Sequence, residues 1–397
     1  MSSSSPPSSA QVVLKPGRDG PARKRHHPWI YSQAIAEVRE GQAVGDLLPV
    51  RAADGSVVGW GFYSPESLIA VRMVSFSPEK PSQDWIERRL RAAKSLRDSL
   101  HVDSDAVRLV NAEGDNIPGL IVDQYSDTFV VSLHVRGIEG LVERIAGCLL
   151  ELLPSARIFL KRDEHYARIE KLSRPSGYLH GAGDGTCTIR EGGVRLRVDY
   201  ERGQKTGFYL DQRANRSAVA LCSRAKTVLN LFSYTGAASL LAAAAGAARV
   251  VSVESSKKAL ETARESVLLN PQLRADVLEW VVQDVFTFLE QPLQYDVVVA
   301  DPPPFARRRA DLEGALKGYL SLFQQCMRIL SPGGFAFLFS CSGAVDRPTF
   351  QQVVVEAALR SGRSVRLLRE LHADADHPVA AAHPEGEYLK GWMVYAE

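Results

Sequence analysis

The chain carries almost no excess charge: 48 Lys and Arg face 46 Asp and Glu, a formal +2 over 397 residues. Any grip on nucleic acid must therefore come from local patches rather than from an overall field. Cysteine is scarce as well, five in all (148, 187, 222, 326 and 341), with no C-x-x-C pair. An odd number without paired spacing argues against a disulfide framework and a zinc site, so reduced thiols and no metal are expected. Long hydrophobic runs are missing too. The most apolar helical stretch, residues 237–248, stops at Arg249 and is too short to span a bilayer. There is no internal repeat, no G-x-G-x-x-G turn and no phosphate loop. Residues 1–10 are Ser/Pro-rich and lack the charged start and apolar centre of a signal peptide, so a disordered tail is expected. A soluble, cytoplasmic, non-membrane protein of two or three domains is the expectation.

What is present divides by pattern. Residues 11–80 hold short β-rich runs, with Asp54-Gly55 separating 47–51 from 57–62 as a strong hairpin signal. Beside them lie Arg18, Arg23, Lys24, Arg25, His27 and Trp29. Basic groups next to an aromatic suit a phosphate backbone and a stacked base. On charge alone, a solvated basic loop with Trp29 packed inward is the preferred reading. Pro78 and Pro81 mark a linker, and residues 85–100 have the spacing of an exposed amphipathic helix. Residues 81–186 read as a small α+β unit with strands at 117–122, 128–134 and 156–160 and a helix at 139–153. No chemistry is visible there, and His134, His165 and His180 share no ligand spacing.

Residues 187–397 open with a hairpin around Glu191-Gly192-Gly193 and then alternate strand and helix. Strands are expected at 227–231, 249–253, 278–282, 295–300 and 335–339, all uniformly apolar. That pattern means an α/β fold with a parallel, doubly wound sheet. After the first strand, Asn230-Leu231-Phe232-Ser233-Tyr234-Thr235-Gly236 opens the first helix with one glycine, enough for close approach of a ligand to the backbone. Glu254 ends the second strand, where a carboxylate can accept ribose hydroxyl protons, and Asp284 ends the third, where it could bound an adenine. In this order on one sheet, they favour an adenosine cofactor. Without a phosphate loop, S-adenosylmethionine fits better than a nucleotide phosphate.

The fourth strand delivers Asp301-Pro302-Pro303-Pro304-Phe305. Prolines cannot continue a central strand, so the acid is left at the crevice outside the strand ends. Cys341 follows the fifth strand in Phe339-Ser340-Cys341-Ser342-Gly343. Cysteine is usually buried and inert, but this one lies past the apolar run, among small polar neighbours, beside the Asp301 strand. A thiol there can attack an activated ring carbon.

The chain resembles the ribosomal RNA large-subunit methyltransferase I type of cytosine-C5 methyltransferases. The matching pieces are Leu14-Lys15-Pro16-Gly17-Arg18 with His27-Pro28-Trp29-Ile30, Gly207-Phe208-Tyr209-Leu210-Asp211-Gln212-Arg213, the 230–236 turn, Asp301-Pro302-Pro303, Ser340-Cys341-Ser342-Gly343, Ala375-Asp376-His377-Pro378, and Pro384-Glu385-Gly386-Glu387-Tyr388-Leu389-Lys390-Gly391. Pro304, where a lysine or other polar residue is expected, and Glu254-Ser255, in place of an aspartate form, are departures. The resemblance implies an N-terminal RNA-binding PUA domain (11–80), a central α+β domain (81–186) and a Rossmann-like methyltransferase domain (187–397) whose last strand is antiparallel. It implies S-adenosylmethionine held by Lys205, Thr206, Phe208, Tyr209, Asp211, Gln212, Asn230, Phe232, Tyr234, Thr235, Gly236, Glu254, Ser255, Asp284 and Asp301. Cys341 is then the nucleophile, Asp301 its catalytic partner, and 23S rRNA the substrate, gripped by Arg18, Arg23, Lys24, Arg25, His27 and Trp29. A homodimer is compatible with the sequence, which does not set the oligomeric state. Two rivals stay open: an N-methyltransferase with a structural Cys341, and a non-catalytic RNA-binding assembly factor.

Overall fold

The computed structural model describes residues 10–39, 45–292, 294–306 and 309–397. The tail expected at 1–10 lies outside them except for Ala10. Strands β1 (Gln11–Leu14), β2 (Trp29–Tyr31), β3 (Ile35–Arg39), β4 (Leu47–Arg51), β5 (Val57–Tyr63) and β6 (Ile69–Ser75) make one sheet, ordered β2-β6-β5-β4-β1-β3. The Asp54-Gly55 turn joins β4 and β5 antiparallel, and Gly55 takes the left-handed φ of +84° that such a turn requires. The basic stretch is a short helix, Gly20–Arg25, rather than a loop; Pro21 in its first turn starts it.

The second sheet is β11-β10-β9-β8-β7, built from β7 (Ala106–Asn111), β8 (Leu120–Tyr125), β9 (Thr128–Leu133), β10 (Arg157–Leu160) and β11 (Gly177–His180). Two expectations shift here. The strand placed at 117–122 begins three residues later, because residues 112–115 turn and Gly119 sits at φ +74° against Val135. The helix placed at 139–153 is two pieces, Arg136–Glu139 and Val142–Leu152, broken at Gly140-Leu141. The helix Trp85–Ser99 is also less exposed than expected. It buries Trp85, Ile86, Leu90 and Ala93 in the core of this unit, and Arg97 is buried with them.

A hairpin, β12 (Thr186–Glu191) and β13 (Val194–Asp199), leads into the largest sheet. Its strands are β14 (Thr227–Leu231), β15 (Arg249–Glu254), β16 (Leu278–Val282), β17 (Tyr295–Ala300), β18 (Leu330–Ser340), β19 (Val365–Leu371) and β20 (Lys390–Ala396). The order is β16-β15-β14-β17-β18-β20-β19, parallel except for β20, which runs antiparallel to both neighbours. The inner strands are buried on both faces, which is why they read as unbroken apolar runs. Chain order reverses between β14 and β17, and there Leu231 lies opposite Ala300. Ligands bind outside the carboxyl ends of strands at such a reversal.

The sheets are locked together by buried ion pairs. Asp376 is fully buried between β19 and β20 and accepts from Arg213 Nη2 at 2.9 Å, the Arg108 backbone N–H at 3.0 Å and the ring of His377 at 2.7 Å. Its own carbonyl accepts from Arg97, which also holds Asp115. Pro378 takes a hydrogen bond from Asn111 Nδ2 at 3.0 Å. The Asp376-His377-Pro378 turn thus fastens the methyltransferase sheet to the central one.

Candidate active site

Most crevice residues sit at the carboxyl ends of strands or on the loops that leave them, where the sequence no longer needs to be apolar. The β14 turn is strained: Phe232, Tyr234 and Gly236 all have left-handed backbones, φ +56°, +48° and +71°. For two aromatics that conformation costs of order 1–3 kcal/mol each and is typical of ligand-binding turns. At Gly236 any Cβ would lie 2.5 Å from the Trp280 ring, so only glycine lets the turn fold against β16. Glu254 closes the turn from the β15 end. One of its oxygens accepts from the Tyr234 N–H at 3.0 Å and the other from the Ser256 N–H at 2.9 Å, with Ser255 Oγ at 3.2 Å. The oxygen that takes only the Tyr234 N–H retains acceptor capacity for a ribose hydroxyl. Asp284, exposed at the end of β16, caps the helix Val285–Phe288 through Thr287 N–H at 3.0 Å.

Above the turn lies the loop 204–212, held by the Tyr234 hydroxyl, which accepts from Gln204 N–H at 3.0 Å and donates to the Gly207 carbonyl at 3.1 Å. Tyr209 packs edge-on to Tyr234 at 5.2 Å. The other side chains here divide. Thr206 is buried against Asp123 and Tyr125, Phe208 is buried beneath the Arg216 guanidinium, and Asn230 donates to Ser239 at 2.9 Å. Those three side chains serve the interior; Lys205, Tyr209, Asp211 and Gln212 face charged partners in the crevice.

Two buried carboxylates in that crevice behave in opposite ways. Burial, and then the charge of Asp211, push Asp301 up to about 6; Gln212, donating at 2.8 Å, pulls back only in part. Gln212 is oriented for this by Asn215, which donates to its carbonyl oxygen at 2.6 Å. Burial would also push Asp211 up, but Lys205 at 3.0 Å, His377 and the Tyr388 hydroxyl outweigh it and hold Asp211 well below the usual carboxylate range. Such a divided pair marks acid and anion roles in one site.

Cys341 follows Ser340 at the end of β18, its Sγ 3.9 Å from the Pro302 carbonyl, so thiol and Asp301 turn share one wall. Burial first, then the Asp301 charge, push the thiol up to about 11, while Lys205 pulls it down. Ser342 Oγ, donating to the Ala306 carbonyl at 2.7 Å, fixes the loop. Lys390 lies opposite Ser340 in the sheet, 4% exposed, donating to the Ser342 carbonyl at 2.9 Å and the Tyr388 carbonyl at 2.7 Å. Burial lowers its pKa and Cys341 opposes that shift. Sequence reasoning passed over Lys390, Tyr388 and Asp123; a charged residue inside an otherwise apolar strand was the available signal for Lys390 and Asp123.

Two features fit the crevice to a bound nucleoside. Ser233 Oγ and Asp211 Oδ1 are buried without a hydrogen-bond partner in the fold. Among the described residues no cluster of His, Cys, Asp and Glu could hold a metal ion.

On the first sheet, Arg18, Lys24 and Arg25 are exposed, as is Arg23, which pairs with Asp19 at 3.2 Å. His27 and Trp29 turn the other way. Trp29 is half-buried, its indole donating to Glu113 at 2.7 Å and packing on His383 at 4.3 Å, and His27 contacts Glu385 at 3.2 Å.

The family model described as S-adenosylmethionine-dependent methyltransferase matches residues 150–385, and one described as a PUA-like domain matches 12–76. A protein named Ribosomal RNA large subunit methyltransferase I from Shewanella frigidimarina is 39% identical over 97% of this chain and 98% of its own. Its namesake in Pseudoalteromonas translucida is 39% identical over 96% and 98%. The chain belongs to the ribosomal RNA large subunit methyltransferase I family. It is therefore an S-adenosylmethionine-dependent methyltransferase with a PUA-like N-terminal domain. A family relative from Vibrio vulnificus is 37% identical over 97% and 98%. The fold agrees: a solved structure of SMU.776 complexed with SAH superposes with a TM-score of 0.82 at 23% identity, over 97% of this chain and 99% of that one. Among the described residues no helix is long and apolar enough to cross a membrane.

Proposed function

We propose that the protein methylates carbon 5 of a cytosine in 23S rRNA, in the cytoplasm, through a covalent adduct between Cys341 and carbon 6. The observation that carries this reading is the shared wall: a thiol at the end of β18 against the Pro302 carbonyl, beside a buried Asp301 whose pKa, raised to about 6, leaves it ionised at neutral pH but a stronger base than an ordinary carboxylate. Family membership supplies the ribosomal substrate class.

Carbon 5 of cytosine is a poor nucleophile until carbon 6 has been attacked. At neutral pH the resting pair is the Cys341 thiol and the Asp301 carboxylate. Passing the thiol proton to Asp301 gives the productive pair. The thiolate then forms the S–C6 bond, and the Asp301 carboxylic acid holds its proton on the N3 edge, where the displaced electron density gathers. Bound S-adenosylmethionine supplies the electrophilic methyl group that the activated C5 takes. Loss of the C5 proton to a base and cleavage of the S–C6 bond release the methylated base and regenerate the thiolate. Glu254, Ser255 and the 232–236 turn hold the nucleoside end of the cofactor, Lys205, Tyr209, Asp211 and Gln212 its crevice side, and Asp284 the adenine edge. The target base must be unpaired or flipped to reach Cys341.

Nucleoside mass spectrometry of 23S rRNA from a deletion strain tests the reading. Loss of 5-methylcytidine at a single position is expected. Unchanged 5-methylcytidine, or loss of an N-methylated nucleoside instead, would overturn it.

A further inference from the structure

Between the three sheets lies a cleft of about 1110 Å³, lined in part by Tyr388 and by Gly343 and Ala344, which follow Cys341. The Tyr388 hydroxyl donates to Asp211 in the cofactor crevice. The volume exceeds that of an ordinary small-molecule pocket, roughly 300–1,000 Å³.

Its lining is aromatic and acidic. His134 and Tyr166 stack face to face, 3.9 Å apart at 11°, with His165 edge-on to Tyr166 at 5.4 Å. Burial pushes His134 down to about 4, so its ring is neutral at pH 7. On the opposite wall Trp29 packs on His383 and lies under the Arg72 guanidinium at 5.4 Å. Four carboxylates, Glu113, Glu170, Asp346 and Glu385, share the lining with only two guanidiniums, Arg72 and Arg108. Both guanidiniums are already committed, Arg72 to Glu113 and Arg108 to Asp123, each at 2.7 Å. Yet Arg72 Nε and His383 Nε2, on residues 8% and 4% exposed, have no hydrogen-bond partner in the fold. An acidic lining repels phosphate, whereas a flat base can stack on rings.

We propose that this cleft takes an unpaired nucleobase flanking the methylated position, stacked on the His134–Tyr166 pair, with the RNA phosphates left outside. The inference rests on the RNA-methylating reading above and adds to it a second base-binding site, whose lining includes Gly343 and Ala344 just after Cys341.

The test uses the full-length protein and a fluorescent cytidine octamer, followed by anisotropy between 50 and 200 mM salt. Exchanging both rings, His134→Ala with Tyr166→Ala, is expected to weaken binding about tenfold or more. The slope of log affinity against log salt should stay as in the parent, because no phosphate contact is removed. Tyr166→Phe keeps the ring and should bind like the parent. S-adenosylmethionine affinity by calorimetry should be unchanged in all three proteins, which reports an intact fold. No measurable octamer binding by the parent, equal binding by the double variant, or a shallower salt slope would overturn the assignment. If Cys341→Ala still methylates while the octamer result holds, the covalent reading fails and the base site stands. If Cys341→Ala is dead while the octamer ignores the ring variants, the reverse is true.

Discussion

The crevice at the strand ends and the cleft between the sheets meet at Tyr388, which lines the cleft and donates to Asp211 in the crevice, yet they are assembled in different ways. The crevice comes from short contiguous segments: a strand, then a turn that carries the chemistry, repeated at residues 230–236, 254–255, 301–305 and 340–343. The cleft comes from short pieces of all three sheet units, among them 67–69, 111–114, 165–170, 343–346 and 378–388, brought together by contacts between positions far apart in sequence. Trp29 and Glu113, 84 positions apart, make one wall, and His27 and Glu385, 358 positions apart, close a rim. The crevice concentrates ionisable groups with displaced pKa values, suited to bond making. The cleft concentrates rings and committed charges, suited to holding a base.

The comparison predicts that the two regions separate on mutation. The largest expected effect is Cys341→Ala, which should cut methyl transfer more than about a thousandfold. Calorimetric affinity for S-adenosylmethionine and binding of the RNA octamer should both survive it. Next comes the seam between the regions. Asp376→Asn leaves the buried guanidinium of Arg213, which Asp374 at 2.7 Å and Asp376 both hold, partly uncompensated. A loss of about 3 kcal/mol in denaturant unfolding is expected, since breaking one side of a buried pair is costly. If stability is kept and only RNA binding falls, Asp376 belongs to the cleft rather than to the seam.

A third prediction concerns pH. In the free enzyme kcat/KM should fall below about pH 6, where Asp301 is already protonated and the thiol proton has no acceptor. It should fall again above about pH 11, where no proton remains for N3. The same raised pKa costs stability. The unfolded chain releases the Asp301 proton near its ordinary value of 3.8, so stability is lost as pH rises from there through about 6. Asp301→Asn should therefore be inactive but more stable at pH 8 by about 1–3 kcal/mol, read from chemical denaturation. The smallest effect is on the outer face of the first sheet. Lys24→Ala and Arg25→Ala should each lower the salt slope of RNA binding by about one, with only a few-fold loss of affinity. Slopes unchanged would move the phosphate track elsewhere.

The same contrast governs what the sequence discloses. β14 and β17 fall on the expected residues because fully buried parallel strands must be apolar throughout, and that run is its own signal. The Asp301 turn was equally legible, since prolines end a strand by removing donors. The inward commitments of Thr206, Phe208 and Asn230 were not legible, because nothing local distinguishes a polar side chain facing solvent from one facing Asp123 or Ser239. Lys390 and Asp376 were hidden for a related reason. Their partners at Ser342, Arg213 and Arg108 are 48 to 268 positions away, and one sequence carries no record of such pairs. In the central unit the helix break at Gly140 was missed because apolar spacing continued across it.

The central claim is the bond between Cys341 and carbon 6, and one measurement addresses it directly. A large-subunit rRNA transcript carrying 5-fluorocytidine in place of cytidine is incubated with the protein and S-adenosylmethionine, digested with nuclease, and the intact protein is weighed. Fluorine at C5 cannot leave as a proton does, so the adduct should persist. The account predicts a mass increase of one methylated fluorocytidine nucleotide, mapped to Cys341 and absent from Cys341→Ser. An unmodified protein that nonetheless methylates the unsubstituted transcript would contradict it.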